Sequence, residues 1–231
     1  MKKALILLIV LINTYNGMSQ DFSKLYNYLD HKITDKTSPG VQFLIADSSG
    51  ILFEYNKGIA NFETNKLVDA NTQFKMYSST KLLTMIAIMQ LVEDGKINLD
   101  APVSQYLDIM YADEITIRKT LSHTAGFSRN AFIKEIHLVN EDDDFNYSEF
   151  LKRALAEYNK TISNPGQKNV YSNYGYLVLS AIIEKVTKMS YENYIKQYII
   201  AKSELTTKEY LGFKYTDKTA TGYQKRKTLI T

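Results

Sequence analysis

Apolar residues recur along the chain with two different spacings, and the change from one to the other separates a strand-containing part from a helical part. Residues 21–36 carry apolar side chains at helical spacing, which predicts an amphipathic helix that Pro39-Gly40 ends. The short apolar runs 41–46 and 51–55 flank a turn cluster at 47–50, a pattern typical of a β-hairpin.

The helical part begins at Ser78. Between Ser78 and Asp94 apolar residues cover nearly every side of a helix, which predicts a helix buried in the centre of a domain and ended by Gly95. Further apolar stripes predict helices over Ile117 to Ser122 with Thr116 as N-cap, and over 150–158, 177–186 and 191–199. The order helix, hairpin, helical block indicates an α+β fold.

The N-terminal segment has the pattern of a secretory signal. Lys2 and Lys3 precede the apolar run 4–12, and the small residues Gly17 and Ser19 suit cleavage after Ser19. The run is shorter than the roughly 20 apolar residues of a membrane-spanning helix; an uncleaved anchor is the alternative. We therefore expect a signal peptide over 1–19, a single domain over 20–231, and an exported, periplasmic or secreted protein whose closeness to the membrane is left open.

Charge and composition limit the classes of partner that we expect for this protein. The full sequence has 28 Lys and Arg residues against 25 Asp and Glu residues. Cleavage of the signal peptide would remove Lys2 and Lys3 and leave 26 against 25, so the mature chain is nearly neutral. No dense basic patch precedes Lys225-Arg226-Lys227, and we expect no nucleic-acid partner. The chain has no cysteine, so packing must stabilise it after export. The acidic run 141–144 and His137 lack metal-ligand spacing, which favours a solvated loop; we expect no metal and no cofactor.

A hydroxyl and an amine stand three residues apart at the start of the predicted central helix, on Ser78 and Lys81. Positions i and i+3 share one face of a helix. A serine becomes a good nucleophile when a neighbour takes its proton, and a desolvated lysine can do so. The helix N-terminus adds positive potential where an acyl oxyanion would develop. On this spacing alone, a capping serine beside a surface lysine is an equally good interpretation.

Tyr171-Ser172-Asn173 favours the chemical interpretation. These residues follow the turn at Pro165-Gly166 and precede a predicted buried helix, a placement suited to a loop that faces a cleft. A tyrosine near a cationic lysine is favoured as phenolate and can accept a proton. Asn173 could donate to a substrate amide and to Lys81. A helix N-cap at Asn173 is the competing interpretation, and both can hold together.

Four segments in this order resemble the class C β-lactamase and D-alanyl-D-alanine carboxypeptidase family of serine hydrolases. An ordered set of segments is more specific than any one motif. The segments are Phe74 to Lys81, Gln90 to Asp100, Ile115 to Gly126, and Pro165 to Tyr176.

The resemblance implies a β-lactamase/transpeptidase-like fold, a helical block packed on an antiparallel sheet. It implies Ser78 as nucleophile, Lys81 and Tyr171 jointly as the proton-handling pair, and Asn173 as a substrate-orienting residue. His123 would be a structural residue in a helix-end turn. The implied partner is a small-molecule or peptide substrate, an amide or ester such as a peptidoglycan-type D-peptide, a β-lactam or a small ester. The oligomeric state is left open.

The third motif of the family, Lys-Thr-Gly or His-x-Gly on a strand, has no clear counterpart. Lys218-Thr219-Ala220 is the nearest match, but it ends in alanine, follows Tyr171 too closely in the sequence and lacks a flanking apolar strand, which favours a loop. Loss of one oxyanion donor costs on the order of 100- to 1,000-fold in rate. We therefore expect a C-terminally shortened member without the last strands of the sheet. Two functions stay open: a serine hydrolase, or a non-catalytic relic or binding module of the same family.

Overall fold

The computed structural model describes residues 21–34, 38–109, 111–129, 147–157, 163–203 and 218–223. These residues divide into two compact units, one formed up to Phe74 together with 218–223, the other from Lys75 to Ser203. The predicted signal peptide, His137 with the acidic run, and the basic tail lie outside the described residues. No helix among the residues described is long and apolar enough to cross a membrane.

An antiparallel sheet in the order β1-β2-β3 is the centre of the first unit. Its strands are β1 (Gly40–Asp47), β2 (Gly50–Asn61) and β3 (Lys66–Leu67). Asp47 pairs with Gly50, so only two residues form the turn between β1 and β2. The predicted hairpin is confirmed. Its second strand is longer than predicted because residues 56–61 pair without an alternating apolar pattern.

The first helix packs on this hairpin through aromatic side chains. Helix α1 (Ser23–Thr34) confirms the helix predicted there. The Phe22 ring lies 5.1 Å from the Phe53 ring, and the Tyr26 ring meets Tyr55 edge to face at 5.5 Å. Such tilted and edge-to-face pairs add to the stabilisation that burial of the rings provides.

Residues 218–223 return to the first unit through main-chain hydrogen bonds. The Gln73 N–H donates to the carbonyl oxygen of Lys218 at 2.9 Å, and the Ala220 N–H donates to the Gln73 carbonyl at 2.8 Å. Gln73 and Thr219 thus form an isolated parallel bridge. The loop predicted at Lys218-Thr219-Ala220 therefore contains one isolated bridge and no strand, and main-chain pairing of this kind leaves no hydrophobic pattern in the sequence.

The helices predicted in the second unit are confirmed within the described residues. They are α2 (Lys81–Glu93) after a 3₁₀ turn (Tyr77–Thr80), α3 (Ile117–Leu121), α4 (Tyr147–Glu157), α5 (Asn173–Thr187), and α6 (Tyr191–Ile195), which continues as a π turn (Lys196–Ile200). Helix α5 is the centre of this unit. It contacts α2, α3, α4 and α6, and ten consecutive residues, Tyr174 to Ile183, are buried in it.

Helix α2 is not buried on all sides, and the prediction of a wholly buried central helix is wrong. Two largely apolar stripes with the same i, i+3, i+4, i+7 spacing run along it, and only one is buried. A helix that is apolar on nearly every side gives the sequence little means to distinguish the two stripes. The buried stripe is Thr84, Ala87, Ile88 and Leu91; the exposed one is Leu82, Met85, Ile86 and Met89, from 37% to 57% exposed.

The loop after α3 is fixed by close backbone packing. Gly126 has φ +86°, and a Cβ there would collide with the carbonyl oxygen of Ser163. The neighbouring Gly166 N–H donates to the Thr124 carbonyl at 2.7 Å. The loop after α3 and the segment before α5 are therefore held together, which determines where Tyr171 lies.

Candidate active site

Ser78 lies on the 3₁₀ turn that leads into α2, with its side chain exposed. The residue before it, Tyr77, has φ +43°, in the left-handed region that bulky side chains rarely adopt. Strain of this kind persists where the surroundings fix it, and it is frequent at functional sites. Because the turn runs on into α2, Ser78 and Lys81 keep the one-turn separation expected from their spacing.

The structure brings all four predicted site residues together. Ser78 Oγ lies 2.7 Å from the phenolic oxygen of Tyr171. Lys81 Nζ donates to Asn173 Oδ1 at 2.7 Å and to Ser78 Oγ at 3.4 Å. Asn173 thus accepts a hydrogen bond from Lys81, and the expectation that it donates to Lys81 is corrected, since an ammonium has no acceptor.

The N-cap of α5 is Ser172, whose hydroxyl accepts from the Gly175 N–H at 3.4 Å. Asn173 is the first residue of the helix, so the N-cap interpretation of Asn173 is wrong. With the capping role one position earlier, the Asn173 side chain is available to Lys81. Because serine and asparagine both suit an N-cap, the sequence alone could not indicate which of the two adjacent residues caps the helix.

Opposing effects act on the pKa of Tyr171. Burial raises it, but Lys81, the hydrogen bond with Ser78 and the charge of Arg129 together outweigh burial and lower the pKa below the ordinary phenol value. Lys81 Nζ lies 4.8 Å from the centre of the Tyr171 ring. Tyr171 is therefore a better phenolate than a free tyrosine, and it touches the serine hydroxyl.

Tyr176 is a site neighbour that the sequence did not single out. Its ring centre lies 5.5 Å from Lys81 Nζ, and its hydroxyl donates to the Leu121 carbonyl at 3.1 Å. Burial, followed by the proximity of Tyr171, raises the pKa of Tyr176. Its position one helical turn after Asn173 was the signal that could have indicated it.

His123 lies two residues after the end of α3. Its ring centre is 4.6 Å from that of Tyr171 and 5.1 Å from that of Tyr176. His123 therefore contacts two rings of the site.

Within the residues described, the structure offers no group of three or more His, Cys, Asp or Glu side chains that could hold a metal ion. The groups that the site does present are a hydroxyl, a phenol with a lowered pKa, an amine and a carboxamide. This set can activate a serine hydroxyl and orient a carbonyl or amide group beside it.

Comparison with known proteins identifies the class. The family model described as Beta-lactamase matches residues 25–220. The chain therefore belongs to the Beta-lactamase family, and the predicted β-lactamase/transpeptidase-like α+β fold is confirmed.

Similar proteins are longer than this chain. The "Protein flp" of Staphylococcus aureus strain N315 is 29% identical over 188 residues, which cover 78% of this chain and 36% of that protein. The octameric penicillin-binding protein homologue from Pyrococcus abyssi matches with a TM-score of 0.72 and 26% identity, over 91% of this chain and 50% of that one. A class C β-lactamase structure, 21% identical, shares the fold with a TM-score of 0.70 over 93% of this chain and 58% of that one.

Proposed function

We propose that this protein is a serine hydrolase that forms an acyl-enzyme on Ser78 from an amide or ester. The observation that carries the proposal is the 2.7 Å contact between Ser78 Oγ and the Tyr171 hydroxyl, with Lys81 joined to both Ser78 and Asn173. A nucleophile within hydrogen-bond reach of a base that a third group orients is the recurring arrangement of covalent hydrolases.

The proposed reaction uses each of the four side chains. Tyr171 as phenolate takes the proton of Ser78, whose Oγ attacks the substrate carbonyl carbon; collapse of the tetrahedral intermediate breaks the amide or ester bond. The leaving amine or alcohol takes the proton from Tyr171. Water then attacks the acyl-enzyme with Tyr171 again as base, and Tyr171 returns the proton to Ser78 Oγ as the acyl bond breaks. Lys81 stabilises the phenolate by its charge.

The remaining groups orient the substrate. Asn173 Oδ1 is occupied by Lys81, which leaves the amide nitrogen of Asn173 to donate to a substrate carbonyl. The N–H groups at the start of a helical segment have no intrahelical partners, so the Ser78 N–H is a candidate donor to the oxyanion.

The proposed substrates are peptidoglycan-type D-peptides, β-lactams or small esters. The name of the Pyrococcus abyssi structure, a penicillin-binding protein homologue, supports penicillin as the first probe. The test is covalent labelling of the purified protein by a fluorescent penicillin and by a fluorophosphonate, with the modified residue located by mass spectrometry. Ser78→Ala should abolish labelling, whereas Ser79→Ala, the matched control on the same turn, should label like the wild type.

Tyr171→Phe should slow labelling on the order of 100- to 10,000-fold, the usual contribution of a general base. Absence of labelling by both probes in the wild type, or labelling that persists in Ser78→Ala, would overturn the proposal.

A non-catalytic binding module of the same family is the second candidate. It is favoured by Ala220, which stands where the Lys-Thr-Gly pattern has glycine. In that case penicillin would bind reversibly, and Ser78→Ala would bind it as well as the wild type in calorimetry.

Export is a further part of the proposal, supported by the pattern of residues 1–19. N-terminal sequencing of the protein from the expressing cell should begin at Gln20. A chain that retains Met1 and sediments with membranes would support the uncleaved anchor instead.

A further inference from the structure

His123 holds the segment that carries Tyr171 at two points. The Val170 N–H donates to the His123 carbonyl at 2.8 Å. The Ser172 N–H donates to His123 Nδ1 at 3.1 Å. One residue thus binds the main chain on both sides of Tyr171, and the second bond uses the imidazole itself.

The half-buried ring of His123 contacts groups of the site. It lies against the rings of Tyr171 and Tyr176 at 4.6 and 5.1 Å, and Lys81 is the cation that acts on it. His123 has φ +60°, a left-handed backbone that histidine adopts more readily than most residues but rarely. The side chain is therefore directed toward Ser172 by an unusual backbone conformation that the loop maintains.

The hydrogen bond determines the chemical state of the ring. An imidazole nitrogen that accepts a hydrogen bond carries no proton, so the neutral ring has its proton on Nε2. A protonated imidazolium donates at both nitrogens and cannot accept from the Ser172 N–H. Burial, followed by the charge of Lys81, lowers the pKa of His123 and favours the neutral form at neutral pH.

We propose that His123 is a positioning residue, which through its neutral Nδ1 keeps Tyr171 within reach of Ser78 and Asn173 within reach of Lys81, and releases them when it is protonated. The part of the proposal that concerns catalysis rests on the proposed hydrolase function. The part that concerns the placement of Tyr171 is independent of that function.

Two substitutions isolate the acceptor. His123→Asn places an amide oxygen the same number of bonds from Cβ as Nδ1, and asparagine tolerates φ +60°. His123→Gly tolerates the same backbone but removes the acceptor. Both lose the ring contacts and the titration, so they differ from each other in the hydrogen bond to Ser172. His31→Asn, in the first unit, is the control for loss of a histidine elsewhere.

The first readout is the pKa of the Tyr171 phenol, measured by NMR with tyrosine labelled at Cζ and assigned with Tyr171→Phe. In His123→Asn this pKa should stay as low as in the wild type. In His123→Gly it should rise toward about 10, the value of a free tyrosine. Equal values in wild type, Asn and Gly variants would overturn the proposal, as would an equal rise in both variants.

The second readout is the rate of Ser78 labelling against pH. His123→Gly should label on the order of 100-fold more slowly, the cost of a displacement of about 1 Å at a reacting group. Below the pKa of His123 the wild-type rate should fall more steeply than that of His123→Asn, which has no proton to bind there. If the wild type is never labelled, the hydrolase proposal fails while the Tyr171 titration still decides the role of His123.

A third measurement covers the case in which His123→Gly does not fold. Hydrogen exchange of the Ser172 amide should lose protection in the wild type when His123 becomes protonated, and keep it in His123→Asn at the same pH. Protection that is independent of pH in both proteins would show that the imidazole nitrogen does not hold Ser172.

Discussion

Lys81→Met should raise the pKa of Tyr171 above that of the wild type. Methionine is unbranched and apolar like the lysine stem, so it can keep the packing against the rings of Tyr171 and Tyr176 while the charge is removed. Burial, which raises the pKa of Tyr171, is then opposed only by the hydrogen bond with Ser78 and by the charge of Arg129. The pKa of Tyr171 should therefore rise, because an effect that lowers it is lost while burial still raises it.

The magnitude follows from the separation of the charges. With Lys81 Nζ 4.8 Å from the centre of the Tyr171 ring, attraction to a phenolate is about 3.5 kcal/mol at an effective dielectric constant of about 20. That energy corresponds to about 2.5 pH units. Solvent at the exposed Ser78 edge screens part of the attraction, so we expect a rise of about 1–2 pH units. At neutral pH the phenolate population, and with it Ser78 labelling, should fall on the order of 10- to 100-fold.

The assay is an ultraviolet titration of tyrosinate absorbance, taken as the difference between each protein and its Tyr171→Phe partner. Lys119→Met is the matched control, because the Lys119 ammonium lies in the same unit but donates to the Glu114 carbonyl at 3.0 Å. That variant should leave the Tyr171 titration where it is. A Tyr171 pKa in Lys81→Met that is unchanged or lower would refute the claim that Lys81 lowers the pKa of Tyr171.

Three further predictions concern stability. In thermal melts, Gly126→Ala should lower the free energy of unfolding by more than about 2 kcal/mol, because the strain at φ +86° is joined by a collision with the Ser163 carbonyl oxygen. Gly95→Ala, at φ +68° with open space around it, should lower it by about 1–2 kcal/mol. Ile88→Ala should cost about 2–5 kcal/mol and Met85→Ala about 1 or less, as measured by urea unfolding, and equal losses would contradict the two-stripe description of α2. Burial and then the charge of Lys81 lower the pKa of His123, so on acidification the unfolded chain takes up a proton at His123 before the folded chain does. The free energy of unfolding should therefore decrease as pH falls from about 6.5 through the folded-state pKa. His123→Asn should remove this pH dependence.

Much of the site could be predicted because its chemistry depends on residue type and local spacing. Ser78 and Lys81 are one helical turn apart, and the turn at Pro165-Gly166 indicated that Tyr171 and Asn173 lie in a loop before a buried helix. The helices and the hairpin were predictable for the same reason, since each has its own apolar period. That Tyr171 meets Ser78 across 93 positions of sequence came from the ordered resemblance, not from periodicity.

What escaped prediction depends on partners that a hydrophobic pattern does not record. The two apolar stripes of α2 are equivalent in the sequence, and only tertiary packing decides that Ile88 is buried while Met85 is exposed. The bridge between Gln73 and Thr219 uses main-chain groups alone. Ser172 and Asn173 suit an N-cap equally well, so their roles separated only when the helix start was known.

Two residues beside the candidate site have left-handed backbones, Tyr77 with φ +43° and His123 with φ +60°. Tyr77 precedes Ser78 in the chain, and the His123 ring packs against that of Tyr171. Each such residue costs roughly 1–2 kcal/mol, a cost that a loop chosen for stability alone would avoid by glycine. At His123 that conformation coincides with the hydrogen bond to the Ser172 N–H, and at Tyr77 it precedes the exposed serine hydroxyl. A glycine at position 123 would satisfy the backbone but would remove the imidazole that binds the Ser172 N–H.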